Sequence, residues 1–402
     1  MTLNKKPIRA AIHWNRFGPY HIARLIAAFQ ELKPVGIQIV GLEIAKRDQT
    51  YSWRQENAQA IFERYIALPG QTLGRFSWIE IWRGVKSALN EINPDIVAIA
   101  GYSEPAAWSI LIWCKLHHRP MILMTDSKWD DAARSSWKEW LKRGLVCQFS
   151  AALCAGYPHR AYLKYLGMKP DRIFEGVDVV DNDYFWKRAC QVRQNPTAYR
   201  VLPGLEPSEP FFLASARFIK RKNIDGLLRA YAQYRKHMII DDCKNGPWRL
   251  VILGDGVERN ALEHLLVVER IQGVSFPGFR QIDELPLYYG LASAFIHPAK
   301  QEQWGLVVNE AMASGLPVLV SDRCGCASDL IREGSNGFTF KPEDEAALAR
   351  LMALISSKQV NLRAMGQASR ERIAEWGLNR FVWGLHKALM AAQKGREGIR
   401  SI

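Results

Sequence analysis

Residues 297–317 read HPAKQEQWGLVVNEAMASGLP. A short apolar run, Ser293-Ala294-Phe295-Ile296, leads into them and predicts a buried parallel strand. Pro298 and Gly305 bracket a loop. From Leu306 the apolar spacing turns helical, and it stops at Gly315 ahead of Pro317. Glu302 falls in the loop and Glu310 in the second helical turn. This layout suits an anion at the helix N-terminus, where free backbone N–H groups and the positive end of the helix dipole converge. The two carboxylates would then accept hydrogen bonds from hydroxyls on either side of that anion, as a sugar presents them.

Size and charge bound the rest. A chain of 402 residues exceeds one typical core, and two domains of roughly 200 residues are expected. Apolar residues make up 48% and charged residues 23%, an ordinary soluble composition. No apolar run approaches about 18 residues, so no transmembrane helix is expected. Met1 to Arg9 lacks the apolar region of a signal peptide. Seven scattered cysteines predict reduced thiols and a cytoplasmic location. Cys324-Gly325-Cys326 has no second pair nearby and reads as structural, and no metal site is expected. The net charge of +14 calls for an anionic partner: nucleic acid, an anionic membrane surface or a phosphorylated substrate. No RRM, KH, helix-turn-helix or zinc-finger pattern is present, so no specific nucleic-acid partner is expected.

In chain order, Ile8 to Trp14 reads as a buried strand and a helix runs from about His21 to Leu32. The loop between them carries Gly18, at the ligand-facing position of a doubly wound domain, although one glycine makes no GxGxxG fingerprint. Ile37 to Leu42, Pro94 to Ala100 and Met121 to Met124 read as further strands. Asp126, Ser127 and Lys128 follow the last of these, at a strand end where ligands gather. His13 reads as a core histidine in preference to a ligand, and His117 and His118 as cap or surface residues. Residues 134–146, RSSWKEWLKRGLV, place Trp137, Trp140, Leu141 and Leu145 on one side of a helix. Arg134, Lys138, Lys142 and Arg143 lie mostly on the other. Such a helix packs its apolar face onto the domain, the plainer expectation, or lies in an anionic membrane interface.

Asp181-Asn182-Asp183 is formally a DxD, but without a partner it reads as solvated linker. Residues 188–210 are polar and contain Pro196, Pro203, Pro207 and Pro210, the composition of an interdomain linker. A strand from Phe211 to Ala214, a basic loop to Asn223, a helix from Ile224 to His237 and a strand from Arg249 to Leu253 follow. Gly254-Asp255-Gly256 then lets backbone approach a ligand or makes a turn. The expected organisation is a first domain over 1–187, a linker over 188–210, a second domain over 211–375 and a terminal helix over 376–402, frayed from Lys394.

Glu302, seven intervening residues and Glu310, followed by Ala311-Met312-Ala313-Ser314-Gly315-Leu316-Pro317-Val318, resemble the signature of glycosyltransferase family 4, retaining nucleotide-sugar enzymes of GT-B fold. The resemblance implies two Rossmann-like α/β/α domains facing across a cleft, with the acceptor on the first and the nucleotide sugar on the second, and a last helix that returns to the first. Arg217 and Lys222 keep the spacing of the family's diphosphate-gripping arginine and lysine, and such cations stabilise a leaving diphosphate. By the same resemblance Glu310 holds the ribose hydroxyls and Glu302 the 3- and 4-hydroxyls of the sugar. The backbone of Gly305, Leu306 and Val307 faces the diphosphate, and the segment through Phe279 and Arg280 holds the base. Gly254 and Gly18 belong to the ligand-facing loops, the family's first loop being richer in glycine than this one. Trp304 beside Glu302 is expected to wall the sugar pocket. Asp126, Ser127 and Lys128 stand where many relatives carry a sugar-contacting histidine.

The implied activity is transfer of a hexosyl unit from a nucleotide diphosphate sugar, a UDP-hexose such as UDP-glucose, to a hydroxyl in polysaccharide or glycolipid biosynthesis. It needs no cofactor and no metal. The implied partners are the donor, a sugar, polysaccharide or lipid-linked acceptor, and an anionic membrane touched peripherally at its inner face. A nucleotide-sugar epimerase or phosphorylase of the same fold is the enzyme alternative. A glycosidase would also use two carboxylates, but the accompanying cations suit diphosphate chemistry better. A non-catalytic polyanion-binding protein is the alternative of another class, with salt-dependent binding indifferent to Glu302 and Glu310.

Overall fold

The structure, a computed structural model, describes residues 6–46, 53–54, 61–70, 72, 76–199, 202–205, 209–240, 246–357 and 359–400. The chain forms two compact units, one of residues 1–180 with 377–402 and one of residues 181–376.

The first unit alternates strands and helices: β1 (Ile8–Trp14), α1 (Pro19–Leu32), β2 (Ile37–Glu43), β3 (Glu63–Ile66), α2 (Trp78–Ile92), β4 (Ile96–Ala100), α3 (Pro105–Leu116), β5 (Met121–Thr125), α4 (Ser136–Val146), β6 (Ala151–Cys154), α5 (Tyr157–Tyr165) and β7 (Ile173–Glu175). Its seven strands are all parallel in the order β3-β2-β1-β4-β5-β6-β7. Burial on both faces explains why β1, β4 and β5 read as unbroken apolar runs. Sequence reading gave no element between Leu42 and Pro94. There β3 is a half-buried edge strand of mixed polarity, and α2 opens on a capping box. Ser77 accepts from the Glu80 amide at 3.3 Å, and the Glu80 carboxylate accepts from the Ser77 amide at 2.9 Å.

The second unit opens with α6 (Asn182–Gln194) and α7 (Pro196–Tyr199), followed by β8 (Phe211–Ser215), α8 (Ile224–Ile240), β9 (Arg249–Leu253), α9 (Arg259–Val268), β10 (Val274–Gly278), α10 (Leu285–Leu291), β11 (Ala294–His297), α11 (Leu306–Ala313), β12 (Val318–Ser321), α12 (Ala327–Leu330), β13 (Gly337–Phe340), α13 (Glu345–Ser356) and α14 (Leu362–Ala374). Six parallel strands lie in the order β10-β9-β8-β11-β12-β13, the doubly wound order whose direction reverses between β8 and β11. The core between sheet and helices is drawn from Phe212, Leu228, Tyr231, Leu250, Ile252, Ile296 and Met352, all essentially inaccessible. Helix α15 (Leu378–Arg400) belongs to the first unit, where it packs on α1, β6 and β7. Arg380 Nη2 donates to Glu175 at 2.8 Å.

Three boundaries differ from expectation. The first unit ends at Val180, not 187, because α6 packs on α10 and α11, and Arg193 donates to Ser314 O at 2.6 Å. Asp181-Asn182-Asp183 is therefore a helix start, not solvated linker. Asp181 accepts from the Tyr184 amide at 2.9 Å, and Asn182 donates to Ile373 O at 2.7 Å. The final helix continues past Lys394, with helical backbone to Arg400.

Candidate functional site

The loops that leave β8 and β11 flank the switch point of the second sheet, where open α/β sheets place their ligands. They are tied to each other. Lys300 N donates to Arg221 O at 2.9 Å. Asn223, buried and left-handed at φ 56°, donates from Nδ2 to Pro298 O at 3.1 Å and to Pro342 O at 2.8 Å. A third strand end supports the first loop from below. Ala216 N donates to Leu253 O and Phe218 N to Asp255 O, at 3.0 and 2.8 Å. Gly254 sits at φ 128°, and a Cβ there would lie 1.8 Å from Ala216 O. Its small size serves loop-on-loop packing, which sequence reading left open between a turn and a ligand contact.

Between these loops Glu302 meets Lys222 and His297. The Lys222 ammonium forms an ion pair with Glu302 Oε2, and His297 Nε2 lies 3.0 Å from the same oxygen. Burial favours the neutral carboxyl, but the His297 hydrogen bond and the Lys222 charge outweigh it and hold Glu302 well below the usual carboxylate range. Burial keeps His297 neutral in spite of Glu302, so Nε2 carries the proton and donates. Nδ1 is buried with no hydrogen-bond partner among the described residues. Both bonds fall on Oε2, and among the described residues Oε1 accepts none. One carboxylate oxygen is anchored and the other is free to take a hydroxyl.

Helix α11 starts just beyond. Gly305 is its N-cap, at φ 104° and with no side-chain cap. That left-handed conformation favours glycine, and the uncapped first turn, through Leu306 and Val307, leaves N–H groups for an anion. Glu310, 1% exposed, accepts from Tyr289 Oη at 2.9 Å. Arg217 is half-buried in the loop after β8, together with Lys222. Phe279 and Arg280 follow β10, and Arg280 donates to Pro277 O at 2.5 Å and faces Glu284 at 3.3 Å.

Two expected ligand contacts are otherwise engaged. The Trp304 indole is no pocket wall. It is buried, donates from Nε1 to Asn309 Oδ1 at 2.9 Å and packs on Trp376 at 5.0 Å between ring centroids. Gly18 N, in the first unit, donates to His21 Nδ1 at 3.0 Å, so α1 is capped from within. Elsewhere in that unit Lys128 is buried and paired with Asp130 at 2.5 Å, and burial pulls the fully enclosed His13 down to about 3. Sequence reading missed His297, Asn223, Tyr289 and Asn309. The first two adjoin Pro298 and Lys222, and that adjacency was the one signal for them. Among the described residues no group of three or more His, Cys, Asp or Glu is placed to hold a metal ion.

Residues 198–372 match the family described as Glycosyl transferases group 1. The sulfoquinovosyl transferase of Arabidopsis thaliana is 36% identical over 201 residues, 49% of this chain and 36% of that protein. The alpha-monoglucosyldiacylglycerol synthase of Streptococcus pneumoniae is 27% identical over 245 residues, 60% of this chain and 53% of that one. The matched segment thus spans about a third to a half of these relatives. The solved structure of a sucrose-phosphate synthase from Thermosynechococcus elongatus superposes with a TM-score of 0.70 at 19% identity, covering 98% of this chain and all of that one. At that identity the likeness establishes the fold, GT-B with two Rossmann-like α/β domains.

Proposed function

We propose that the chain is a retaining family 4 glycosyltransferase that moves a hexosyl unit from a UDP-hexose to a hydroxyl acceptor. The observation that carries this reading is the half-anchored carboxylate of Glu302 beside the uncapped N-terminus of α11. Glu302 Oε1 accepts a sugar hydroxyl while Lys222, Arg217 and the first-turn amides of α11 take the diphosphate. Glu310 accepts from the ribose. In the transfer the bond from the anomeric carbon to the diphosphate oxygen breaks, and a bond to the acceptor oxygen forms on the same face. The acceptor proton passes to the departing diphosphate. The work is positioning and charge stabilisation by fixed groups, and the cations and helix terminus supply the positive charge without a metal.

A lipid-linked acceptor is favoured within this reading. Two relatives bear the name alpha-monoglucosyldiacylglycerol synthase, that of a lipid product. Within this reading the enzyme is a cytoplasmic protein that meets the bilayer peripherally, and no helix among the described residues is long and apolar enough to cross a membrane.

The test is a thermal-shift and calorimetric screen of UDP, GDP, ADP and their hexose conjugates against wild type and Arg217→Ala. A ligand at about 100 times its dissociation constant stabilises by roughly 2.7 kcal/mol. UDP and one UDP-hexose are expected to win, with the shift lost in the variant. Release of UDP only when an acceptor is added then separates transfer from epimerisation. Binding of no nucleotide would overturn the reading.

A further inference from the structure

Helix α4 is mounted with its charge inward and its apolar side outward. Its buried residues are Glu139 and Val146. Glu139, 5% exposed, takes Lys142 Nζ at 2.8 Å and Arg134 Nη1 at 3.5 Å on Oε1, and Tyr162 Oη at 2.6 Å on Oε2. This polar clamp sets the rotation of the helix. The opposite side carries Trp137, Trp140 and Leu141, exposed to 63, 73 and 52%. At about 100° per residue these three, with Gly144 between them, span roughly 100° of the circumference. Lys138 borders this apolar face on one side and Arg143 on the other, both exposed. A second exposed aromatic pair, Trp129 and Tyr165 at 4.8 Å, joins the same clamp, since Arg134 donates to both Trp129 O and Tyr162 Oη.

The expectation that this helix packs its apolar side onto the domain is overturned. Exposed tryptophans set on a rigid helix, edged by cations, fit one environment closely. The indole rings suit the headgroup boundary of a bilayer, and the lysine and arginine suit anionic headgroups. We infer that the outward face of α4, Trp137, Trp140 and Leu141 with Lys138 and Arg143, is a docking surface for an anionic lipid bilayer. The clamp on Glu139 holds the helix ready before contact, so docking does not have to order it. The surface lies wholly in the first unit and does not depend on the donor site.

The experiment is co-sedimentation of the full chain with vesicles of phosphatidylglycerol and phosphatidylcholine, and with phosphatidylcholine alone. The wild type is expected to sediment with the anionic vesicles, less so as salt rises. Trp137→Ser with Trp140→Ser, and separately Lys138→Glu with Arg143→Glu, are each expected to weaken binding about tenfold or more. Their melting temperatures should match wild type, because the replaced side chains are exposed. Lys222→Ala should bind vesicles as wild type does, so a wrong donor assignment would leave this result intact. Failure of wild type to bind anionic vesicles would overturn the inference, and so would equal binding by the double tryptophan variant. A dimer in solution that the tryptophan variant dissolves, without vesicle binding, would assign the face to a second copy instead.

Discussion

Two carboxylates, half-buried Glu302 in the second unit and buried Glu139 in the first, are held by similar groups and left in different states. Each faces a lysine and a hydrogen-bond donor on a ring system, His297 or Tyr162, and each is held below the usual carboxylate range against the cost of burial. Glu139 has both oxygens engaged, whereas Glu302 has both its bonds on Oε2. A saturated carboxylate is an anchor. A half-saturated one, beside an uncapped helix, retains binding capacity that folding has not used.

The largest break in this comparison is Lys222→Ala. It strips the cation from Glu302 and, in the proposed function, from the diphosphate at once. Transfer, read as acceptor-dependent UDP release, is expected to fall about 1,000-fold. A loss under tenfold would make the ion pair merely structural.

Paired substitutions sharpen the contrast. Glu302→Gln should lower kcat/KM about 100-fold. Glu139→Gln weakens three donor contacts and should cost about 2 kcal/mol of stability, or roughly 4–8 °C of melting temperature, while donor binding in the second unit stays intact. Calorimetric melting and initial rates on both variants check the crossing pattern. If Glu302→Gln melts lower than Glu139→Gln and keeps its activity, the two roles are reversed.

Why one carboxylate was legible and the other was not follows from how each is held. Glu302 shares a contiguous strand–loop–helix stretch with Glu310, so the spacing of the two marked it, and the parallel strands showed as apolar runs. Its partners Lys222, 80 residues away, and His297 did not show. The partners of Glu139 come from elsewhere: Tyr162 lies on the next helix and Arg134 in the preceding loop. A helical pattern alone assigns tryptophans inward and glutamate outward, and only those distant partners reverse it. The same limit hid the Trp304 indole, whose burial needs Asn309 and Trp376. It also hid Asn223, whose acceptors lie on Pro298 and Pro342.

Acid separates both carboxylates from the buried histidines. A depressed carboxylate adds stability above its unfolded pKa and loses it only as pH falls through the folded value, so both clusters should stay ionised down to at least about pH 4.5. His13 behaves differently. Its pKa, pulled by burial to about 3, makes the neutral form part of the fold, and the resulting stability is full above about pH 6.5 and fades below it. At pH 5 the cost relative to pH 8 is about 2 kcal/mol from His13 alone. Urea unfolding at the two pH values reads the difference, and His13→Gln should shrink it. An unchanged difference in that variant would place the acid sensitivity elsewhere.

A subtler edit is His297→Ala, which removes the neutral donor that fixes Glu302 Oε2. One net hydrogen bond to a charged group amounts to about 1.5 kcal/mol, or roughly tenfold in kcat. His297→Gln, which keeps an N–H, should recover part of that. Because the ring is neutral, the rate between pH 6 and 8 should not follow an imidazole titration in wild type. A histidine-like inflection lost in His297→Gln would instead make the ring a proton carrier.

The smallest expected effect lies at the other carboxylate in the stretch, Glu310. Tyr289 donates to one of its oxygens and also lies 3.4 Å from Val307 O in the first turn of α11. The hydroxyl therefore steadies Glu310 and the helix start together. Tyr289→Phe removes about 1 kcal/mol of hydrogen bonding and should weaken UDP about fivefold by calorimetry, with kcat nearly unchanged at saturating donor. A change in kcat with unchanged affinity would mean that Glu310 acts on the reacting sugar, and the division of labour between Glu302 and Glu310 would have to be redrawn.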